Sequence, residues 1–189
     1  MGNNYIVTIG RPSYQKNPFF LVDVIKGVHE KHPEVQFYLL GVGYYSPDLE
    51  EMNQRIEAYG LKDIVVLKEW ADHDATMQYV KDSILYLTVS RYEGLPLAVV
   101  EALGLGKCIV ASKVVGNVDC VHDGYNGRVL DLNVADFVSA INDLLENPEK
   151  IAEYGRNSRE LYENEFDIRK RIGMLEDIYR DVAKNNSFQ

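Results

Sequence analysis

The sequence predicts an α/β fold, namely a Rossmann-like, doubly wound parallel sheet of about six strands with two extra helices at its C-terminal end. Short runs rich in β-branched and aromatic residues alternate with helix-length segments along most of the chain. Several of these runs are almost continuously apolar, which is typical of strands covered on both faces of a parallel sheet. The alternation of strand and helix indicates a doubly wound sheet. It stops in the last forty residues, which contain no strand-like run.

Each predicted strand is a short apolar run. The six segments are 5–10 (YIVTIG), 35–41 (VQFYLLG), 64–68 (IVVLK), 84–89 (ILYLTV), 108–112 (CIVAS) and 127–131 (GRVLD).

The intervening segments have helical periodicity. Apolar residues recur every four positions from Phe20 to Val28, and a similar apolar face recurs within 134–145. Pro18 and Pro148 stand at predicted helix starts, where a missing N–H costs little. The segments 147–166 and 167–182 are predicted as two amphipathic helices that cover the sheet edge or reach outward.

Length and composition indicate one globular domain, residues 1–189. The chain is 46% hydrophobic and carries a net charge of -9, which argues against non-specific nucleic-acid binding. No run approaches the roughly 18 to 20 apolar residues of a membrane span. Cys108 and Cys120 lie near apolar positions, which favours reduced thiols and a cytoplasmic protein over a disulfide. The four histidines lack the spacing of metal ligands, so no metal site is predicted.

Ligands of such sheets bind beyond the carboxyl ends of the strands. The first strand is followed by Gly10, Arg11 and Lys16, the second by Gly41 to Gly43, the fourth by 90–94 and the fifth by 113–119. Small residues, two cations and carboxylates therefore collect at one rim.

Arg11 and Lys16 are candidate anion binders, because a guanidinium grips two phosphate oxygens and an ammonium acts as a movable point charge. The ordinary alternative is two surface cations in a loop. The helix entered through Gly94, Leu95 and Pro96 favours the anion site, since free N–H groups at a helix start attract negative charge. Gly94 also permits close approach of a ligand to the backbone.

Glu101 lies within a helix, 97–105, that is apolar almost all round. Such a helix is normally buried, and a buried carboxylate needs a partner. Hydroxyls of a ribose would serve, as in dinucleotide sites; the alternative is an internal ion pair with Lys107 or Lys113. Glu93 lies outside the helix, on the loop at the cleft, where it suits hydroxyls beyond the phosphates.

Two further features have weaker interpretations. Asp72 to Asp74 resembles a metal-binding pair, but an Asp directly before a helix is better explained as its N-cap. Trp70 would either stack on a base or serve a packing role.

Several of these segments together resemble the retaining GT-B glycosyltransferases of the GT4 type, the glycosyl transferases group 1. The segment from Ser90, "SRYEGLPLAVVEALGLGKCIVAS", resembles the family pattern S-x-x-E-G-x-P-L-x-x-x-E-A-x-x-x-G-x-P-V-x-A. "GRPSYQK" resembles G-R-L-x-x-x-K, "GVG" resembles G-x-G, and "VGNVDCVHDGYNG" resembles G-G-x-P-E-x-x-x-D-G-x-N-G. The resemblance extends over nearly the whole chain, in the family's order and spacing.

The resemblance implies a nucleotide-sugar site with no resident cofactor, and UDP- or GDP-linked sugars as donors. Arg11 and Lys16 would hold the diphosphate, Glu93 would contact the sugar, and these three residues would act in catalysis. Glu101 would accept hydrogen bonds from the ribose. The remaining binding residues implied by the resemblance are Gly10, Gly43, Gly94, Leu95 and Gly116. The family is generally metal-independent.

The chain departs from the family pattern near one glycine pair. Val115 replaces the first glycine, Val118 a proline and Asp119 a glutamate, while Cys108 replaces another proline and Asn17 a glycine. The first three departures concern the sugar pocket near Gly116 and Asp119, while Arg11, Lys16, Glu93 and Glu101 all match the pattern.

The resemblance covers only the donor-binding, C-terminal half of a GT-B enzyme. It implies an excised domain, or a chain that needs an N-terminal acceptor-binding partner to transfer sugar to a hydroxyl. Any membrane association, at the inner face, would come through that missing domain. The alternatives are a nucleotide-sugar epimerase on the same fold, a non-catalytic nucleotide-binding module, and a receiver-type domain. The last is disfavoured because no acidic cluster follows the first strand.

Overall fold

Six strands form one parallel sheet in the computed structural model, which describes residues 4–43, 45–69 and 71–185. The strand order across the sheet is β3-β2-β1-β4-β5-β6, and all neighbouring strands run parallel. In chain order the strands are β1 (Tyr5–Ile9), β2 (Gln36–Leu40), β3 (Val65–Lys68), β4 (Tyr86–Thr88), β5 (Ile109–Ser112) and β6 (Gly127–Leu130). Each lies inside the segment predicted for it, and the predicted fold class is confirmed.

The helices alternate with the strands and then follow one another at the C-terminal end. They are α1 (Pro18–His29), α2 (Leu49–Ala58), α3 (His73–Asp82), α4 (Leu97–Gly104), α5 (Val115–Cys120), α6 (Val134–Leu145), α7 (Pro148–Leu161), a π-helical turn (Tyr162–Phe166) and α8 (Ile168–Asn185). Pro18 and Pro148 are the first residues of their helices, as predicted. Asp72 caps α3, because its side chain accepts a 2.8 Å hydrogen bond from the N–H of Ala75.

The core has two layers, one on each face of the sheet. Adjacent strand residues point to opposite faces, so Ile6 packs in the layer built by α1, α2 and α6, while Val7 packs in the layer built by α3, α4 and α5. Cys108 and Cys120 are buried as free thiols, so the prediction of unpaired cysteines is confirmed. Coverage of both faces explains why the strands have nearly continuous apolar sequences.

The strand order reverses direction between β1 and β4. From β1 the chain builds outward through β2 and β3, and then returns to pair β4 with β1, with Val7 opposite Tyr86. Loops that leave these two strands therefore diverge on either side of a crevice, which is where open α/β sheets bind ligands. The carboxyl ends of all six strands reach the same edge because the sheet is parallel.

The last helix, α8, exposes an apolar face. Its outward apolar residues recur at helical spacing and are each about half exposed or more: Ile168, Ile172, Leu175, Ile178, Tyr179 and Val182. In the part of the chain that the structure describes, no helix has the length and apolar character needed to cross a bilayer. Trp70, the candidate for base stacking, lies outside the described residues.

Candidate functional site

The loop after β1 is folded around Gly10 and Lys16. Gly10 has φ of 145°, a conformation that favours glycine, and its N–H donates to the carbonyl of Leu40 at the end of β2. A Cβ on Gly10 would lie 2.9 Å from Cε of Lys16. The absence of a side chain on Gly10 therefore lets the Lys16 stem cross the end of β1.

Lys16 is joined to Glu93 across the crevice between β1 and β4. Lys16 Nζ lies 2.6 Å from Glu93 Oε1, and the Glu93 side chain is only 8% exposed. Gln15 donates from Nε2 to the other carboxylate oxygen at 3.3 Å and to the carbonyl of Tyr92 at 3.2 Å. The N–H of Arg91 in turn donates to the Gln15 carbonyl. These contacts fix the two loops against each other, and the ammonium retains N–H groups for a further acceptor.

The start of α5 packs directly on the same loop. Gly116 donates its N–H to the carbonyl of Glu93 at 3.3 Å. A Cβ built on Gly116 would lie 2.0 Å from the carbonyl oxygen of Gly94, so only glycine fits there without a shift. Gly94 itself has open space where its Cβ would stand, which leaves the backbone accessible to a ligand.

A buried polar network lies beneath this junction, and the sequence did not reveal it. The Ser112 hydroxyl donates to the Ser90 carbonyl at 2.6 Å, and the Asn117 side-chain amide donates to both the carbonyl and the hydroxyl of Ser112. All three side chains are buried. The network ties the ends of β4 and β5 to α5, so it supports the glycine contact from below.

Arg11 and Gly43 lie on the β2 side of the crevice. Arg11 is exposed and lines a hollow with Tyr45 and Ser46 from the loop after β2. Gly43 lies in that loop and donates its N–H to the Ser46 hydroxyl at 3.1 Å. Within the described residues Arg11 has no ion-pair partner, so its guanidinium remains available to an anion.

Glu101 and Leu95 line another hollow, of about 500 Å³, on the opposite side of the crevice. Glu101 Oε1 lies 2.9 Å from Nε2 of His73, the first residue of α3. The hydrogen bond to Glu101 is the largest cause that raises the pKa of His73. His73 was not predicted as a site residue, because nothing in the local sequence indicates that α3 starts beside α4.

The predicted environment of Glu101 was wrong, whereas Glu93 lies on the loop at the crevice, as predicted. Glu101 was expected to be buried, yet its side chain is 37% exposed, whereas Glu93 on the loop is the buried carboxylate. Helix α4 leaves one face open, and Leu97 on that face is 66% exposed. The alternative ion pair with a lysine is also wrong for the described residues: Lys107 donates to the carbonyl of Ser83, and Lys113 is exposed.

The predicted site residues are linked, but they do not surround one cavity. Direct contacts join Gly10, Lys16, Glu93, Gly94 and Gly116. Arg11 lines one hollow, and Glu101 and Leu95 line another. Gly43 contacts Ser46 at the edge of the Arg11 hollow. The site is therefore an open strip along the crevice, suited to an elongated ligand. Among the described residues, no group of three or more His, Cys, Asp or Glu side chains could hold a metal ion.

Family and sequence comparisons identify the family of this chain. The model of the family "Glycosyl transferases group 1" matches residues 1–161. The chain is 30% identical over 188 residues to the UDP-Gal:alpha-D-GlcNAc-diphosphoundecaprenol alpha-1,3-galactosyltransferase of Escherichia coli, covering 97% of this chain and 47% of that enzyme. It is 28% identical over 187 residues to the phosphatidylinositol N-acetylglucosaminyltransferase gpi3 subunit of Schizosaccharomyces pombe, covering 97% of this chain and 40% of that subunit. The chain thus spans about half the length of the curated relatives it matches, or less.

Solved structures share the fold. A mutant of S. aureus TarM, crystallised with UDP among other ligands, superposes with a TM-score of 0.85 at 24% identity, over 95% of this chain and 36% of that one. Anabaena HepE in complex with UDP and glucose superposes with a TM-score of 0.82 at 24% identity, over 97% of this chain and 49% of that one. The sheet order, the extent of the family match and these superpositions agree, and the chain belongs to the glycosyl transferases group 1, as a domain of the GT-B type.

Proposed function

We propose that this chain is the donor-binding, C-terminal domain of a retaining, GT4-type glycosyltransferase. It binds a nucleoside diphosphate sugar along the crevice, with the diphosphate near Lys16 and Arg11. Glu101 accepts hydrogen bonds from the ribose. The backbone of Gly94 and Leu95 and the Glu93 side chain meet phosphate and sugar, with Gly10, Gly43 and Gly116 shaping the strip.

The positive charges of the proposed site match the negative charge that develops during sugar transfer. Transfer of the sugar breaks the bond to the diphosphate, and negative charge develops on the departing group. In the proposed complex the Lys16 ammonium, the Arg11 guanidinium and the free N–H groups at the start of α4 stabilise that charge. Because they act more strongly on the leaving diphosphate than on the bound donor, they would accelerate transfer.

The observation that carries the proposal is the junction of Lys16, Glu93 and Gly116. Three separate segments of the chain, after β1, after β4 and at the start of α5, meet there through a 2.6 Å ion pair and a 3.3 Å hydrogen bond. The junction lies at the reversal of strand order, where a ligand of this fold class binds. Two relatives of the same fold were crystallised with UDP, which supports a nucleotide as the ligand.

The full reaction needs more than this chain. We infer that a second, N-terminal domain supplies the acceptor site and part of the catalytic groups, because the chain covers 47% of its E. coli relative. UDP- or GDP-linked sugars are the proposed donors, with no metal or other cofactor. A cytoplasmic location, with any contact to the inner face of a membrane made by the other domain, remains part of the proposal.

Calorimetric titration of the 189-residue chain with UDP, GDP, ADP and their sugars tests the proposal. We expect one nucleoside diphosphate to bind, and Lys16→Met to weaken that binding about tenfold or more, since an ammonium is lost beside a phosphate. Lys62→Met is the matched control, because Lys62 also pairs with a glutamate, Glu57, at 2.6 Å, but this pair is exposed and joins the end of α2 to the loop that follows it. Absence of binding by the wild-type chain, or equal affinities of wild type and Lys16→Met, would contradict the proposal.

A further inference from the structure

His73 and Glu101 form a contact that connects α3 with α4. The imidazole Nε2 is 2.9 Å from Glu101 Oε1, and both side chains are partly exposed in the hollow that also contains Leu95 and Leu97. Glu101 lies just over one turn into α4, and no other ion-pair partner for it exists among the described residues. The imidazole is therefore the group that restricts the orientation of this carboxylate.

The position of His73 is itself fixed by the start of α3. Asp72 caps the helix through the N–H of Ala75, and the Thr76 hydroxyl donates to the Asp72 carbonyl at 2.9 Å. These contacts hold the first turn in one conformation, as N-caps do. His73 therefore approaches Glu101 from a rigid helix end rather than from a mobile loop.

We propose that His73 is a positioning residue for ribose recognition, which holds the Glu101 carboxylate for the diol and makes nucleotide affinity depend on pH. The inference rests on the proposed function, since it needs Glu101 at the ribose. A carboxylate oxygen has two acceptor sites. Oε1 can therefore accept from His73 and still accept from one ribose hydroxyl, while Oε2 accepts from the other.

The direction of the pH dependence follows from the proton that His73 Nε2 donates to Glu101. Imidazolium always carries a proton on Nε2, whereas neutral imidazole carries one proton that either nitrogen can hold. The contact to Glu101 is therefore strongest when His73 is charged, and it weakens as the pH rises through the pKa of His73. Nucleotide affinity should fall over that same range.

The other charged groups near His73 do not reverse this argument. Asp74, on the same helix, has Oδ1 at 3.7 Å from the other ring nitrogen, and it favours the charged ring together with Glu101. Arg159 of α7 lines the same hollow, but its guanidinium donates to Glu163 and to the carbonyl of Gly104. The Arg159 guanidinium is thus already bonded to Glu163 and Gly104.

The first test needs no nucleotide. The pKa of His73 is measured by NMR in the wild-type chain and in Glu101→Gln, with His122, which is far along the chain and exposed, as the internal reference. We expect the pKa of His73 to fall in the variant while that of His122 stays constant. An unchanged pKa of His73 would show that the contact is absent in solution and would overturn the inference without touching the proposed function.

The second test compares ribose with deoxyribose. The tightest of UDP, GDP and ADP, and its 2′-deoxy counterpart, are titrated into wild type, His73→Ala, His73→Gln and the control His122→Ala. We expect His73→Ala to bind the ribonucleotide about threefold to fivefold more weakly, as for an exposed charge-assisted contact. Binding of the deoxynucleotide should change little, so the preference for ribose should shrink.

The glutamine variant separates positioning from charge. Its amide offers a neutral donor at similar reach, so His73→Gln should keep the preference for ribose but lose the pH dependence that His73 adds. The terminal phosphate of the ligand also titrates, near pH 6, and the difference between wild type and His73→Gln removes the contribution that the phosphate makes to both. Equal weakening of both nucleotides in His73→Ala would indicate a merely structural role and overturn the inference. Absence of any nucleotide binding by the wild type would overturn the proposed function as well.

Discussion

Gly116→Ala tests whether the junction between the β4 loop and α5 is as close as the structure shows. The added Cβ would lie 2.0 Å from the carbonyl oxygen of Gly94 and 2.9 Å from Cδ of Pro96. Since Cβ atoms essentially never come within 3.0 Å of such groups, the two segments must separate by about 1 Å. That movement would also break the 3.3 Å hydrogen bond from Gly116 to Glu93.

The expected cost of this separation is about 1–3 kcal/mol, as for other overpacked sites. For a domain of this size, 1 kcal/mol lowers the melting temperature by roughly 2–4 °C, so a loss of about 2–12 °C is predicted. Nucleotide affinity should fall about tenfold, because the Glu93 loop is displaced. Differential scanning calorimetry and titration calorimetry measure the two quantities.

Two glycine variants serve as controls. Gly173 of α8 and Gly94 both have open space where a Cβ would stand, so alanine at either position should leave the melting temperature unchanged or slightly raised. Gly94→Ala should nevertheless weaken nucleotide binding, if a ligand approaches that backbone. A Gly116→Ala variant with wild-type melting temperature and affinity would refute the close packing of this junction and the site built on it.

Two other predictions concern groups remote from the ligand. Burial raises the pKa of Cys108 to about 12 and that of Cys120 to about 11. The thiols of the folded chain should therefore resist Ellman's reagent at pH 8 and react fully after unfolding in guanidinium. Rapid labelling of the native chain would contradict the burial of the two thiols. The Arg169 side chain and N–H lower the pKa of Asp167 to about 2, so this contact stabilises the start of α8 above pH ~4 and is lost as the pH falls towards 2. Amide exchange of the first turn of α8 should accelerate in that window, and Asp167→Asn should lack this acid-dependent step.

The strands were predictable because nearly all of their residues are buried, and this burial depends little on which distant residues cover them. A strand covered on both faces needs apolar residues at every position, and this requirement is visible within five or six residues of sequence. The start of α3 was predictable for a similar reason, since a cap such as Asp72 acts on the N–H only three residues away. Both predictions depended on local chemistry alone.

The environments of the glutamates were not predictable from local patterns. Glu93 is buried because Lys16 and Gln15, which lie 77 and 78 positions earlier, cover it. Glu101 is partly exposed because α4 has an open face above the hollow, which the almost uniformly apolar sequence of this helix does not indicate. For the same reason His73 was not predicted as a site residue, because its partner, Glu101, is 28 positions away.

The position of β1 between β2 and β4 has a consequence for how the chain folds. Strands β1, β2 and β3 precede β4 in the chain, but the crevice exists only after β4 has paired with β1. Contacts of long sequence separation form slowly, because the loop between them must close first. A bound nucleotide would touch the loops on both sides of this crevice, and it would therefore stabilise only the completed sheet and oppose the separation of β4 from β1.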